Sequence, residues 1–140
     1  MIVVDTNVIA SAFLRSEERQ LAISVLEQDR DWRVPPLWRS EFLSACRYGI
    51  RTVAMTPARC AQAFDDAVAL FGLAEVQPDP NRVLAAVRLV PSLSSYDAEF
   101  LALGQQLGCR VVTQDLEFIR AAARVEKGRV ISLAAAGRTR

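Results

Sequence analysis

The sequence predicts an α/β fold in which a mainly parallel sheet is covered by helices. Short runs rich in valine and isoleucine alternate along the chain with longer segments whose apolar residues recur at helical spacing. The run at residues 2–5 is continuously apolar up to its final aspartate, as expected of a strand buried on both faces. Strands separated by helices are joined by crossover connections, which make them parallel. The 140 residues suit one domain, expected over residues 1–140.

Strands are predicted where a short β-branched or apolar run ends at a polar or turn-forming residue. In chain order these runs are residues 2–5, 32–34, 74–76, 110–113 and 129–133. The run at 74–76 is the weakest of them. Pro35 and Pro36 stop the second strand, since proline lacks the N–H group that a sheet requires.

Helices are predicted where apolar residues repeat every three or four positions. In chain order these segments are residues 7–14, 17–29, 37–48, 56–71, 81–90, 95–107 and 116–124. Thr6 is expected to cap the first helix, and Pro57 suits the first turn of the fourth. Gly108 is expected to end the sixth helix. No internal repeat or low-complexity tract interrupts this order.

The composition excludes several kinds of functional site. The net charge is only +1, so any binding of nucleic acid must come from local basic patches. The 17 basic residues are Lys127 and otherwise arginines, a bias that suits phosphate binding but also arises in GC-rich genomes. Histidine is absent, which excludes imidazole zinc sites, histidine general bases and Ser-His-Asp triads.

The cysteines and the N-terminus predict a cytoplasmic protein. Cys46, Cys60 and Cys109 are odd in number and have no CxxC spacing, which favours free thiols. The N-terminus has no basic segment before its apolar stretch, so no signal peptide is expected. No apolar run approaches the roughly 18 residues of a membrane span, and no membrane association is predicted.

Four acidic residues have unusual surroundings. Asp5 and Asp115 each follow a predicted strand, and ligands of parallel sheets bind beyond the carboxyl ends of the strands. If those two strands are neighbours, the two carboxylates face the same crevice. Glu41 is crowded by aromatic and apolar residues in LWRSEFLSA. Asp97 lies in the first turn of a predicted helix and shares a face with Leu101.

Each acid alone has an ordinary structural explanation. Asp5 or Asp115 can cap the helix that follows it. Asp97 can complement a helix dipole, and Glu41 can be a solvated helix residue. The combination of the four acids, rather than any one of them, favours a functional site. Glu99, two residues after Asp97, is expected to point elsewhere.

A cluster of four carboxylates requires a counter-charge. Two carboxylates about 4 Å apart repel each other by roughly 4 kcal/mol at an effective dielectric of about 20. The cluster therefore cannot stay ionised without protons or cations. Carboxylate oxygens without histidine or cysteine suit Mg²⁺ or Mn²⁺. One such ion can activate water and a second can stabilise a leaving oxygen, which predicts hydrolysis of phosphodiester bonds.

Several segments also carry a family resemblance. The stretches VVDTNVIASAFL, RSEFLSA, SSYDAEFLALGQQLG and VVTQDLEF occur in the order and spacing of PIN-domain nucleases. Within that family, the chain resembles the small VapC toxins of bacterial type II toxin–antitoxin pairs. The resemblance covers nearly the whole chain, although residues 51–91 carry no motif that matches. It implies a three-layer α/β/α PIN-like domain.

The resemblance implies roles for individual residues. The acidic quartet of the family, which is catalytic and binds metal, maps onto Asp5, Glu41, Asp97 and Asp115. Three other residues of the motifs are expected to support the quartet: Thr6, Asn7 and Thr113. Glu117 is an optional further acid with the same supporting role.

The implied activity is that of an Mg²⁺- or Mn²⁺-dependent endoribonuclease. Such toxins are commonly homodimers, and a cognate antitoxin blocks the acidic pocket. The RNA target is not legible in the sequence, although tRNA is one possibility. Arg15 and Arg39 are candidate contacts for RNA phosphates, as are Arg47 and Arg51, and solvated surface is the alternative for each. Four large apolar residues suit either a partner surface or the core, and the core is favoured for Trp38 because its helix is otherwise apolar: Phe13, Leu14, Trp32 and Trp38.

Other functions fit the same residues. A housekeeping PIN ribonuclease would use the same acids without an antitoxin. A PIN scaffold that binds RNA or protein without cutting is less compatible with a full quartet, because clustered acids cost stability unless they hold metal. A phosphatase of the haloacid-dehalogenase type is set aside, because Asn7 stands where that motif has its second aspartate and the only lysine is Lys127.

Overall fold

The sheet is parallel throughout the computed structural model, which describes residues 1–14 and 16–138. Its strands are β1 (Ile2–Val4), β2 (Trp32–Arg33), β3 (Arg110–Thr113) and β4 (Val130–Ser132). They are hydrogen-bonded in the order β2-β1-β3-β4, and each neighbouring pair is parallel. Because β1 lies beside β3, the residues that follow these two strands meet at one edge of the sheet.

Helices connect the strands and cover the sheet. In chain order they are α1 (Thr6–Phe13), α2 (Arg19–Gln28), α3 (Trp38–Thr52), α4 (Pro57–Phe71), α5 (Pro80–Leu89), α6 (Ser95–Leu107), α7 (Leu116–Ala123) and α8 (Leu133–Ala136). All the predicted helices are present, with ends that differ from the predicted ones by a few residues.

The two faces of the sheet bury separate cores, because successive side chains of a strand point to opposite sides. Val4 and Val112 are partners in the register of β1 and β3, and both lie in a core formed with α1 to α4. Val3 and Val111 are the preceding pair, and both lie in a core formed with α5, α6 and α7. Helices therefore cover both faces, and the predicted α/β/α fold class is confirmed.

Short sequence signals set the ends of the helices. Thr56 Oγ1 accepts a hydrogen bond from the N–H of Arg59, and Pro57 takes the first helical position, so α4 begins where predicted. Gly108 ends α6 with a φ of 66°, a left-handed conformation that glycine adopts without a Cβ clash.

The strand expected at residues 74–76 is reduced to a single bridge between Val34 and Glu75. One turn of 3₁₀ helix, Gly72–Ala74, precedes it. The pairing cannot continue past this bridge, because Pro36, two residues after Val34, is the next residue that would face the 74–76 segment and has no N–H to donate.

Three further details differ from expectation. Ser132 Oγ accepts a hydrogen bond from the N–H of Ala135, so the chain leaves β4 directly for a short helix that the sequence did not suggest. Helix α3 continues to Thr52, past its predicted end at residue 48. Thr6 is the first residue of α1 rather than its cap, because Asp5 occupies the capping position.

The structure also bears on the cysteines and on membrane association. Cys46, Cys60 and Cys109 are all free, and the first two are buried. Among the helices of residues 1–14 and 16–138, none is both long and apolar enough to cross a membrane.

Candidate active site

Four carboxylates from separate parts of the chain line one open cavity. The cavity has a volume of about 230 Å³, and its acidic lining consists of Asp5, Glu41, Asp97 and Asp115. Asp5 follows β1, and Asp115 follows β3 after one intervening residue, so the neighbouring strands bring these two acids together. Helices α3 and α6 supply the other two. We call this cavity the acidic pocket; Thr6, Asn7, Ala10 and Ala45 complete its lining.

Asp5 is the most enclosed of the four acids, and only 6% of its surface is exposed. Its Oδ2 accepts hydrogen bonds from the Thr113 hydroxyl at 2.5 Å and from Asn7 Nδ2 at 3.0 Å. Asn7 Nδ2 also approaches Thr113 Oγ1 at 3.1 Å. Two uncharged side chains, one from α1 and one from β3, therefore fix the orientation of the Asp5 carboxylate without neutralising it.

Glu41 lies in the first turn of α3 and is held by a residue of the first motif. The Thr6 hydroxyl donates a hydrogen bond to Glu41 Oε1 at 2.8 Å. Trp38 and Phe42, on the same helix, are fully buried, so α3 is anchored in the core on both sides of this acid along the sequence. The Thr6 side chain thus holds Glu41 instead of capping α1.

Asp97 and Asp115 stand at the beginnings of two helices. Ser94 Oγ accepts a hydrogen bond from the N–H of Asp97 at 3.0 Å, which starts α6. Asp115 Oδ1 accepts from the N–H groups of Glu117 at 2.8 Å and Phe118 at 3.1 Å, so Asp115 caps α7. Asp115 therefore caps a helix and lines the acidic pocket with the same side chain, so the two explanations of this residue do not exclude each other.

The pKa values of three of the four acids are raised, which favours their protonated forms. Burial, together with the charge of Asp97, raises the pKa of Asp5 to about 6, although the Thr113 hydrogen bond opposes the shift. Burial raises the pKa of Glu41 to about 7, and the charges of Asp5 and Asp97 add to it. Burial and the charge of Asp115 raise the pKa of Asp97. These carboxylates repel one another, and the hydrogen bonds from Thr113 and Thr6 offset only part of the rise in pKa at Asp5 and Glu41.

No arginine or lysine of the described residues forms an ion pair with these four acids. Arg39, an expected phosphate contact, instead donates from Nε to Glu75 Oε1 at 2.5 Å and lies over the ring of Trp38. Arg47 and Arg51 are exposed on α3. Arg15, the other expected RNA contact, lies outside the described residues.

The donor set fits a hard divalent cation in its chemistry. All the charged groups are carboxylates, and a cation would relieve their mutual repulsion. Within residues 1–14 and 16–138, however, no three acid or thiol side chains are arranged closely enough to hold an ion as they stand. An ion bound in the acidic pocket would have to draw the carboxylates closer together.

The structure adds residues that the sequence did not suggest. The backbone N–H of Gln114 donates to Asn7 Oδ1 at 3.1 Å, and the buried Ser11 donates its hydroxyl to Gln114 Oε1 at 2.9 Å. Ser11 lies four residues after Asn7 on α1, and this helical spacing is the signal that predicts a shared face. Glu99 is also closer to the site than expected, because its charge contributes to the raised pKa of Glu41.

Other expected residues lie outside the acidic pocket. Glu117 lines a neighbouring cavity with two arginines rather than the pocket itself. Trp38 and Leu14 are buried in the core. Phe13 and Trp32 are partly exposed and line a separate cavity of about 310 Å³ between α1, α2 and α4.

Comparison with known protein families identifies the domain that carries these acids. The model of the PIN domain matches residues 2–124, which spans all four acids of the pocket. The chain belongs to the PIN domain family. PIN domains are generally nucleases that act on nucleic acids, and they generally use divalent metal ions such as Mg²⁺.

Two solved structures are similar to this PIN domain along almost its whole length. The crystal structure of PAE2754 from Pyrobaculum aerophilum has a TM-score of 0.66 and 15% identity, covering 97% of this chain and 92% of that chain. The crystal structure of FitAcB from Neisseria gonorrhoeae has a TM-score of 0.66 and 20% identity, covering 96% and 99% of the two chains. At these identities the likeness concerns the fold alone. No curated protein matches the sequence.

Proposed function

We propose that this PIN domain, a single domain over residues 1–140, is an endoribonuclease that hydrolyses RNA phosphodiester bonds with Mg²⁺ or Mn²⁺. The observation that carries the proposal is the acidic pocket, where four carboxylates from four segments meet without a cationic side chain among the described residues. Asp5, Glu41, Asp97 and Asp115 would hold the ion. When bound, it supplies an activated water and a Lewis acid for the phosphate.

The chain's own residues orient the acids and limit their motion. Thr113 and Asn7 hold Asp5 Oδ2, and Thr6 holds Glu41 Oε1. These partners are hydroxyl and amide groups, so they fix geometry while leaving the negative charge available to a cation and to its bound water. Holding Asp5 and Glu41 in place limits the rearrangement of the carboxylates to what contact with the ion requires.

The motifs shared with the VapC toxins support a more specific role. We propose that the protein is a toxin, that a cognate antitoxin occupies the acidic pocket, and that the toxin works as a cytoplasmic homodimer on RNA, with tRNA among the possible targets. A housekeeping ribonuclease and a non-catalytic PIN scaffold are the alternatives. Expression of the chain alone should arrest growth if it is a toxin, and co-expression of an antitoxin should relieve the arrest. Light scattering of the purified protein tests the dimer.

The deciding experiment is cleavage of total RNA and of a tRNA pool by the purified protein with Mg²⁺, with Mn²⁺ and with EDTA. The Asp97→Asn variant removes one charge of the acidic pocket, and Asp65→Asn is the matched control because Asp65 is exposed on α4, away from the site. Metal-dependent fragments from the parent and from Asp65→Asn, but not from Asp97→Asn, are expected.

Two other outcomes separate the alternatives. Fragments that persist in EDTA or with Asp97→Asn would point to a contaminating ribonuclease. Absence of cleavage by folded protein, together with undetectable Mn²⁺ binding by calorimetry, would favour the non-catalytic scaffold. Cleavage without any effect on growth would favour the housekeeping enzyme over the toxin.

A further inference from the structure

A second cavity beside the acidic pocket is lined by unneutralised arginines. Its volume is about 340 Å³, and its lining residues are Ser92, Glu117, Arg120, Ala121 and Arg124. We call it the α7 cavity, because four of these five residues belong to α7 or to the residue that ends it.

Each of the two cavities has lining residues near the beginnings of α6 and α7. Asp115 lines the acidic pocket and caps α7, and Glu117 in the first turn of α7 lines the second cavity. Ser92 of that cavity lies two residues before Ser94, the cap of α6, and α6 carries Asp97 of the acidic pocket. A polymer that crosses the acidic pocket past these helix ends therefore reaches the α7 cavity.

The charges of the α7 cavity are available to a ligand. Arg120 and Arg124 are both exposed and stand four residues apart, so they share one face of the helix end. Within residues 1–14 and 16–138, neither guanidinium has a carboxylate within ion-pair distance, and Glu117 pairs with neither. Arg39 and Arg129, by contrast, are each bound to a glutamate.

We propose that Arg120 and Arg124 bind phosphates of the RNA strand next to the phosphodiester that enters the acidic pocket. The proposal rests on the proposed ribonuclease function. A guanidinium can bind a phosphate through two parallel hydrogen bonds. At about 1.5 Å of rise per residue, the two arginines lie about 8 and 14 Å along the α7 axis from Asp115, so they reach phosphates beyond the scissile one.

An acidic polypeptide would also suit two arginines, but the position of the α7 cavity favours RNA. The acidic pocket repels polyanions unless a cation is bound, so a substrate strand needs basic groups on either side of the pocket. The α7 cavity supplies such groups along the helix that Asp115 caps. Arg39, which the sequence offered as a candidate for this purpose, is already bound to Glu75.

The test is the salt dependence of RNA binding. A fluorescein-labelled single-stranded RNA is titrated with protein in the Asp97→Asn background with Mg²⁺, and anisotropy is measured at several salt concentrations. Each lost phosphate contact reduces the slope of log K against log salt by about 0.7 for a single strand. Arg120→Gln combined with Arg124→Gln should therefore reduce the slope by about 1.4 and weaken binding at low salt. Each single variant should give about half of that change.

The matched control is Arg30→Gln combined with Arg110→Gln. Both arginines are exposed, and they lie at the opposite edge of the sheet, where Arg30 precedes β2 and Arg110 begins β3. The control removes the same charge from the protein, so an effect of net charge alone would change both slopes equally. We expect the slope of the control to match that of the parent.

Three results would overturn the inference in distinguishable ways. An unchanged slope in the α7 variant, with the parent still cutting RNA, would remove the α7 contact and leave the ribonuclease standing. If the α7 variant binds poly-glutamate more weakly than the parent does, but binds RNA equally well, the α7 cavity would be assigned to an acidic polypeptide. Failure of the parent to bind or cut any RNA would remove the proposed function, and this inference with it.

Discussion

Glu41 and Glu75 both make side-chain contacts at the start of α3, and the chain compensates only one of them. Glu75 accepts hydrogen bonds from Trp38 Nε1 at 2.8 Å and from the Arg39 guanidinium at 2.5 Å. Glu41, two residues after Arg39, accepts one bond from the Thr6 hydroxyl, and its pKa rises to about 7 chiefly through burial. Arg39 is close to Glu41 in the sequence, yet its guanidinium binds Glu75 instead.

This difference separates a carboxylate whose charge is matched by an arginine from one that is held by a neutral donor alone. Glu75 links the bridge at Val34 to the first turn of α3, and its charge is matched by Arg39. The acids of the pocket are held by neutral donors that position them without supplying charge. The fold thus maintains the repulsion between the acids of the pocket. Removing one of these charges should therefore raise the stability of the protein and lower its activity.

The largest expected effect comes from Asp5→Asn. An amide keeps an oxygen for the hydrogen bonds of Thr113 and Asn7 but removes the charge that would hold a cation, so metal-dependent cleavage should fall by about 100-fold or more. In EDTA at pH 7.5, urea unfolding should give a free energy of unfolding about 1–2 kcal/mol higher than that of the parent, because a buried charge is gone. Lower stability with unchanged cleavage would place Asp5 with the structural carboxylates.

The next effect is the pH dependence of stability without metal. The pKa of Asp5 is raised from 3.8 to about 6 and that of Glu41 from 4.5 to about 7. Between the lower and upper values the folded chain holds more protons than the unfolded chain, so stability falls as pH rises. The contribution of these two acids to stability is therefore highest below about pH 4, decreases through pH 6 to 7 and levels off above about pH 8.

The size of this pH effect differs between the two acids. For the enclosed Asp5 it is about 3 kcal/mol at most, at 1.36 kcal/mol per pKa unit. Glu41 is more exposed and contributes less than its shift suggests, because solvent screens it. Urea unfolding in EDTA across this pH range measures the sum, and saturating Mn²⁺ should flatten the curve by stabilising the ionised acids. A flat curve in EDTA would mean that the acids are compensated in solution.

Much of the fold could be predicted because its signals are local. The continuous apolar strands, the Thr56-Pro57 helix start and the stop at Gly108 all depend on neighbouring residues, and all three are present. The strand at 74–76 could not be excluded from local sequence, because its failure depends on Pro36 in a distant partner segment. Helix α8 was missed because its signal is a single serine cap before four residues.

The acids of the site were predictable by type, but their partners were not. Strand-end position and apolar surroundings single out Asp5 and Glu41 from the sequence. The bond from Thr6 to Glu41 spans 35 residues and the pairing of Arg39 with Glu75 spans 36, and no periodicity reports contacts at such distances. Arg39 therefore looked like a free phosphate contact, while Arg120 and Arg124 went unnoticed.

On the structural side of the comparison, Glu75→Gln should lower stability by about 1–2 kcal/mol, because the charged partner of Arg39 is lost while Trp38 keeps an acceptor. Glu27→Gln, on the exposed surface of α2, is the matched control and should change stability by less than about 0.5 kcal/mol. Urea unfolding measures both. RNA cleavage by Glu75→Gln should stay within about twofold of the parent; a loss as large as that of Asp5→Asn would make Glu75 part of the site.

The smallest expected loss of stability comes from removing a neutral donor of the acidic pocket. Thr6→Val keeps the shape of the side chain and removes the hydroxyl that holds Glu41, so cleavage should fall by about 10-fold, with a stability loss of about 1 kcal/mol. Thr52→Val is the control, since Thr52 is exposed at the end of α3 and its hydroxyl donates to the carbonyl of Tyr48, away from the acidic pocket. If Thr6 positions Glu41 for a cation, the affinity for Mn²⁺ measured by calorimetry should weaken in Thr6→Val and not in Thr52→Val. Equal Mn²⁺ affinity in the two variants would mean that Glu41 needs no positioning, and that charge alone distinguishes it from Glu75.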